Sequence, residues 1–442
     1  MQLSSNSPIS RLLEASPKAV LTLYASIAAF STYFCMYAFR RPFSVATFDE
    51  IAFLGSPIGL KTAVVLSQLI GYAISKFLSV KFCSEITWER RSRAILGLIG
   101  IAWLALLVYG PLPGPVKVAA IFVNGLCLGM IWGLVTGYLE GRTTSEILLA
   151  ALSCSFIIGS GMTKDVGKWL MANQGTSESW VGFVTGAVFV LPLILAVYLL
   201  NQIPRPTMDD EAQRVHRQPM NRAERWRFIK TFLPGMVMLM AVYFLLTAYR
   251  DYWDSFGEEL FKDLGYSDTP GIFTKTSMPI AFGVMVCMAA LAFFKDNRWG
   301  LAGVFVIMTS GILMVVGATL AFQAGMLGGV PWMILIGLGA YLAYVPFGSV
   351  LFDRIIAETG TVATAVFAIS LADALGYTGV VSVYLYKEFF AGDASRLNFF
   401  IGLTYLMAAV GAVCLIGSCI YFLRHAADRR EVTGATPAQD EL

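Results

Sequence analysis

Charge is what this sequence has least of. Only 14% of its 442 residues are Asp, Glu, Lys or Arg, against about a quarter in an ordinary soluble domain. Hydrophobic residues make up 57% and the mean hydropathy is +0.68, so the chain reads as an integral membrane protein with the lipid bilayer as its solvent. Histidine is nearly absent. His216 and His425, the two present, fall in polar segments, which leaves no imidazole inside an apolar run for a metal centre or a histidine proton relay. The sequence also lacks a phosphate-binding loop and a Ser-His-Asp constellation. No enzyme, catalytic residue, metal ligand or cofactor is therefore expected. Cys35, Cys83, Cys127, Cys154, Cys287, Cys414 and Cys419 lie in or beside apolar runs, and none is paired with another in a polar loop, so no disulfide is expected. The net charge of +3 gives no reason to expect nucleic-acid binding.

What the sequence has is long apolar runs. Windows of about 20 residues, the length a spanning helix needs, fall near 19 to 40, 58 to 79, 94 to 110, 117 to 139, 147 to 171, 181 to 201, 231 to 253, 270 to 294, 299 to 321, 331 to 352, 361 to 386 and 398 to 423. Ser16-Pro17 before the first of these reads as an N-cap followed by Pro at N1. The first run is too long, and lacks the small-residue cleavage site, for a signal peptide. With the N-terminus in the cytoplasm, about twenty Lys and Arg face that side and six face the other: Arg41, Lys61, Lys117, Lys262, Lys387 and Arg396. Both termini are expected to be cytoplasmic. Segment 204 to 230, rich in Pro, Arg and Asp, separates two sets of six spans and reads as a linker or a short amphipathic surface helix. The expected organisation is an N-terminal half over 1 to 203, the linker over 204 to 230, a C-terminal half over 231 to 423 and a tail over 424 to 442. This is the arrangement of major facilitator transporters, whose halves are parallel repeats. The fold class expected is thus all-α, with twelve transmembrane helices in two pseudo-symmetric halves.

Two stretches support the repeat. Ala38-Phe39-Arg40 ends span 1 and Ala248-Tyr249-Arg250 ends span 7, the helix that a duplication makes equivalent. Subtracting loop positions from the 32 Lys and Arg leaves Arg40, Lys76, Lys164, Lys168, Arg250 and Lys275 inside the membrane, where a charge costs roughly 2.5 to 3.5 kcal/mol on insertion scales. Such residues mark a pathway, and their basic excess points to an anionic cargo. The alternative for Arg40 is snorkelling, since Lys18 to Arg40 spans roughly 33 Å of helix; repetition at Arg250 argues against it. Lys76 lies well inside span 2. Lys164 and Asp165 read as a local neutral pair, Lys168 as snorkelling, and Lys275 opens span 8. Asp373, Asp251 and Lys275 are the candidate coupling or counter-ion groups, with Asp373 read first as a counter-ion. Tyr33, Tyr37 and Arg40 follow i, i+4, i+7 spacing and share one helix face. Tyr341 and Tyr377 lie on spans 10 and 11. Glycines at 125, 129, 133 and 137, and at 376 and 379, read as packing positions.

These residues carry a family resemblance. "YAFRRPF" (37 to 43), "ISKF" (74 to 77), "LGMIWGLVTGYLEGRTTSE" (128 to 146), "TAYRDYWDSF" (247 to 256) and "GYTGV" (376 to 380) resemble elements of the organophosphate:phosphate antiporters. That branch of the major facilitator superfamily includes bacterial glycerol-3-phosphate and hexose-phosphate transporters. The resemblance implies a phosphate held by Arg40 and Arg250, with Tyr33, Tyr37, Lys76 and Tyr377 around it and Tyr341 as a looser match. It departs at span 5, where Phe156 or a neighbour replaces a histidine, and at Glu85, which stands displaced from the family's Asp. Both departures bear on proton coupling and on the accepted substrate. The implied function is transport of a small anionic metabolite by a monomer in a bacterial plasma membrane, with inorganic phosphate as the exchange partner. A sugar-phosphate sensor without net transport, and a proton-coupled organic-anion symporter or exporter using Asp373, stay open.

Overall fold

The computed structural model describes residues 7–48, 53–55, 58–142, 144–206, 222–267, 269–291, 294, 296–359, 365–392 and 395–433. Twelve of its helices are long and apolar enough to cross a membrane: Lys18–Tyr37, Leu60–Ser79, Trp88–Tyr109, Val116–Leu139, Ile147–Gln174, Val181–Leu200, Leu233–Ser255, Ile272–Leu291, Asn297–Gln323, Gly329–Ser349, Phe367–Phe389 and Arg396–His425. They are called spans 1 to 12. Backbone hydrogen bonds satisfied within each helix are the condition for crossing lipid, and each expected apolar run supplies one helix.

Three details differ from the sequence expectation. Pro17, not Ser16, is the N-cap of span 1, and the Ser16 hydroxyl donates back to the Leu12 carbonyl at 2.7 Å. Span 4 is interrupted at Gly129 and Met130, between helices Gly114–Leu128 and Ile131–Leu139. The last helix runs on from span 12 to Thr433, into the expected tail, because nothing in "RHAADRREVT" breaks it. Within the expected linker a helix covers Arg222–Thr231; positions 207–221 lie outside the described residues.

Spans 1 to 6 pack with one another, as do spans 7 to 12, and the two sets meet where span 2 lies along span 11 and span 5 along span 8. Glycine permits the closest approaches. A Cβ on Gly125 of span 4 would stand 2.1 Å from the Gln68 carbonyl oxygen of span 2, and one on Gly379 of span 11 would stand 2.4 Å from that of Phe244 on span 7. These backbones therefore touch with no side chain between them. An even number of crossings puts both termini at one end of the bundle; the opposite end is called the far end.

Candidate functional site

Span 1 ends early for a local reason. Its last helical residue is Tyr37, and Pro42, which opens a short 3-10 turn Pro42–Val45, has no N–H to continue the helical ladder to the Ala38 carbonyl. The carbonyls freed at a helix C-terminus need donors. Here they come from buried amides: Asn124 donates to the Phe39 carbonyl at 3.0 Å and Gln68 to that of Arg40 at 3.1 Å, while Gln68 also donates to Asn124 at 2.7 Å. Spans 2 and 4 thus fix the backbone that carries Arg40. Arg250 needs no such device, because span 7 stays helical through Ser255.

Both guanidiniums are buried, Arg40 at 3% and Arg250 at 5% exposure. Each lies over aromatic faces. Arg40 is 4.0 Å from the Tyr72 ring centroid and 5.5 Å from that of Tyr37, whose hydroxyl accepts from it at 3.4 Å. Arg250 is 4.5 Å from the Tyr344 centroid and 6.0 Å from that of Tyr341. Tyr37 interacts electrostatically with both arginines. Tyr33 packs edge-on to Tyr37 and to Trp132, and Tyr377 lies 5.2 Å from Tyr72. Phe156 touches Tyr341 and Tyr344, so this span-5 side chain faces the cluster. Among the described residues, no carboxylate forms an ion pair with Arg40 or Arg250.

Lys76 of span 2 and Asp373 of span 11 face each other at 3.3 Å, each 17% exposed. Asp373 also accepts from the Tyr243 hydroxyl at 2.7 Å, and that hydroxyl is 3.1 Å from the Tyr344 hydroxyl. The structure therefore brings together Arg40, Arg250, Lys76, Tyr33, Tyr37, Tyr341, Tyr377 and Asp373. It does not bring Lys275, which is exposed on span 8. Tyr72, Tyr344, Tyr243 and Trp132 belong to the cluster and were missed in the sequence. Tyr72 stands four residues before Lys76 and Tyr344 three after Tyr341, so helical spacing carried the signal.

The far end is opposite the termini, the side to which Arg41, Lys61 and Lys117 are assigned, but these cations are buried there and not free in loops. Arg41, expected outside, is 1% exposed and pairs with Asp251 at 2.9 Å and Asp254 at 2.8 Å. Asp251 also accepts from Ser255 and Tyr384; its ion pair is with Arg41, and it acts on Arg250 and Arg40 electrostatically from farther off. Lys61, also expected outside, meets Glu259 at 2.6 Å. Lys117 is buried against the Tyr109 and Gly110 carbonyls and the Ser179 hydroxyl. Lys164 pairs with Asp254 at 2.7 Å, not with its neighbour Asp165, whose carboxylate accepts the Phe273 and Thr274 amides at the start of span 8. Lys168 does not snorkel; it reaches Glu258 at 2.8 Å. In every one of these ion pairs the cation comes from spans 1 to 6 or their loops and the carboxylate from the other set. The missing information was tertiary: each partner lies 90 or more positions away, the largest separation being that of Arg41 and Asp254.

The twelve-helix bundle and its paired sets define an integral membrane protein of the major facilitator fold. Residues 42–425 match a family described as a family of unknown function, DUF5690, and the chain belongs to it. Among solved structures it is similar to a D-xylose-proton symporter, with a TM-score of 0.58, 14% identity, and coverage of 90% of this chain and 97% of that one; the likeness is one of fold. A curated 1,4-dihydroxy-2-naphthoate octaprenyltransferase of Bacillus subtilis (strain 168) is 24% identical over 128 residues, 28% of this chain. The matched stretch spans 40% of that protein's length.

Proposed function

We propose that the protein carries a small anion across the membrane by alternating access and is not an enzyme. One observation carries this reading: Arg40 and Arg250 are buried, lie over aromatic rings and, among the described residues, form no ion pair, Asp251 acting on them only from beyond ion-pair range. Arg41, Lys61, Lys76, Lys164, Lys168 and Arg396 each meet an acid. Removing an ionised group from water costs several kcal/mol unless an opposite charge compensates, and guanidinium does not shed its proton. Asp251, already paired with Arg41, compensates them only in part, which leaves room for a mobile anion. Two planar forks match a tetrahedral oxyanion such as a phosphate monoester or inorganic phosphate, and tyrosine hydroxyls can donate to its remaining oxygens. Facing cations repel when the site is empty, which favours exchange of one anion for another over return of the empty carrier. The loop charge bias favours cytoplasmic termini in a bacterial plasma membrane, and the site is complete within one chain, which favours a monomer.

The test combines binding and transport. Purified protein is melted with inorganic phosphate, glycerol-3-phosphate and carboxylates, because a ligand of the native state raises the melting temperature; counterflow of labelled phosphate is then measured in proteoliposomes. Stabilisation and counterflow that both vanish in Arg40→Gln and Arg250→Gln are expected. Counterflow indifferent to both substitutions rejects the site, and binding without counterflow rejects the carrier.

A further inference from the structure

We propose that the helix Arg222–Thr231, with the adjoining end of span 12, is a docking surface for anionic phospholipid headgroups in the leaflet on the termini side. The surface is separate from the anion site of the central cluster. Its first mark is one exposed side chain. Trp226 is 58% exposed, and the Lys230 ammonium lies 5.4 Å from its ring centroid. An exposed tryptophan beside a lysine at the edge of a span is the pairing that a membrane–water interface favours.

The helix is anchored by its other face. Phe228 is buried and packs on Phe232, which packs in turn on Phe422 and His425 of the last helix. The Tyr421 hydroxyl donates to the Thr231 carbonyl at 3.1 Å. At about 100° per residue, Trp226 and Lys230 each project about 160° from Phe228, so they share the face opposite the anchor. The helical ladder runs on into span 7: the Phe232 amide donates to the Phe228 carbonyl at 3.1 Å, and the Met236 amide to that of Phe232 at 2.9 Å. Trp226, Lys230, Leu233 and Val237 therefore follow i, i+4, i+7, i+11 spacing on one stripe. Leu233 and Val237 are exposed in a membrane-spanning helix, which makes the stripe lipid-facing. At 1.5 Å per residue, Lys230 lies about 4.5 Å and Trp226 about 10 Å beyond Leu233. A headgroup layer is about 5 to 8 Å thick, so the pair spans it.

Charge names the partner. Arg227, Lys230 and Arg424 are exposed, and among the described residues none of them forms an ion pair. No Asp or Glu occurs from 225 to 249 or from 397 to 427, so the two stretches that build this surface supply no acid of their own. The far-end cations Arg41, Lys61, Lys164 and Lys168 each meet a carboxylate; these three face outward instead. An anionic phospholipid offers what they lack, a phosphate with net negative charge at the depth they reach. Each basic side chain near an anionic leaflet adds about fivefold to the affinity, so three add on the order of a hundredfold, and salt screens the effect. Bound headgroups tie Arg222–Thr231 to the last helix and fix the level at which spans 7 and 12 meet the leaflet.

The test uses the full-length protein in nanodiscs of phosphatidylcholine alone and of phosphatidylcholine mixed with phosphatidylglycerol, with amide hydrogen exchange over 222–231 as the readout. Exchange should slow at least about tenfold in the mixed discs, and the slowing should shrink at high salt. The triple variant Arg227→Gln, Lys230→Gln, Arg424→Gln should exchange alike in both discs. Arg227→Lys with Arg424→Lys should keep the wild-type difference, because a leaflet reads charge and not a guanidinium fork. The salt dependence of the wild type carries the test if the triple variant does not reconstitute. Equal exchange of the wild type in both discs overturns the proposal, as does a full slowing in the triple variant. Inorganic phosphate that slows exchange in phosphatidylcholine discs as much as phosphatidylglycerol does would reveal a free-anion site, and overturns it too.

Discussion

Arg40 and Arg41 are chemically identical neighbours with opposite employments. Both stand in the turn that follows the last helical residue, Tyr37, and there one guanidinium enters the aromatic cluster while the next reaches the opposing set of spans. Arg250 and Asp251 repeat the arrangement on span 7, one facing Tyr344 and the other Arg41. On the proposed function the anion is held by a fork and not by charge alone, so Arg40→Lys and Arg250→Lys should each weaken phosphate binding about tenfold or more, read as a displaced midpoint in a thermal-shift titration. The melting temperature without phosphate should fall little, since neither arginine forms an ion pair among the described residues. Equal affinity in both lysine variants would mean that the site reads charge only. The two arginines were legible in the sequence because duplication wrote Ala-aromatic-Arg twice. Arg41 was not, because a hydropathy window assigns any charge at the edge of a span to the adjoining loop, and the acids that claim it lie 210 or more residues away.

At the scale of elements, the ends of spans 1, 5 and 7 and the starts of spans 2 and 8 form a latch. Arg41, Lys61, Lys164 and Lys168 project from one set; Asp251, Asp254, Glu258 and Glu259 project from the other. The segregation of sign makes the contact specific, since no member can pair within its own set. Thr62 adds a further crossing contact with Glu388 and Arg396. Removing one partner of a buried pair costs about 3 to 5 kcal/mol because the other charge is left behind, whereas exchanging the two signs leaves a pair. Lys61→Glu should therefore speed amide hydrogen exchange in Leu60–Ser79 near its start and in the helix Gly257–Asp263, and adding Glu259→Lys should restore most of the protection. If the double variant exchanges as fast as the single one, Lys61 is held by its bond to the Ser44 carbonyl and not by Glu259. The twelve helices that carry the latch were readable from apolar run length alone. Their pairing was not, since period and hydropathy say where a helix is and not which helix it meets.

For the whole molecule the consequence is a bias between conformations. Side-chain ion pairs join the two sets at the far end and, through Lys76 and Asp373, in the cluster. The structure is thus latched at the far end, and alternating access requires the latch to open. Moving a two-state equilibrium from 1:99 to 99:1 takes about 5.5 kcal/mol, so loss of one buried partner, at about 3 to 5 kcal/mol, is enough to bring the two states near balance. Asp254 is the residue to remove, because Arg41 and Lys164 share it and Ser160 donates to it. Spin labels at Leu54 and Met326, both exposed in far-end loops of opposite sets, report the opening directly. The wild type should give one short distance, and Asp254→Asn should add a longer population of comparable weight. On the proposed function, phosphate bridging Arg40 and Arg250 would draw the sets together beside the latch, so it should return part of that population to the short distance. A distribution unmoved by Asp254→Asn would mean that packing of span 5 on span 8 and span 2 on span 11 holds the far end closed, with the ion pairs contributing register alone.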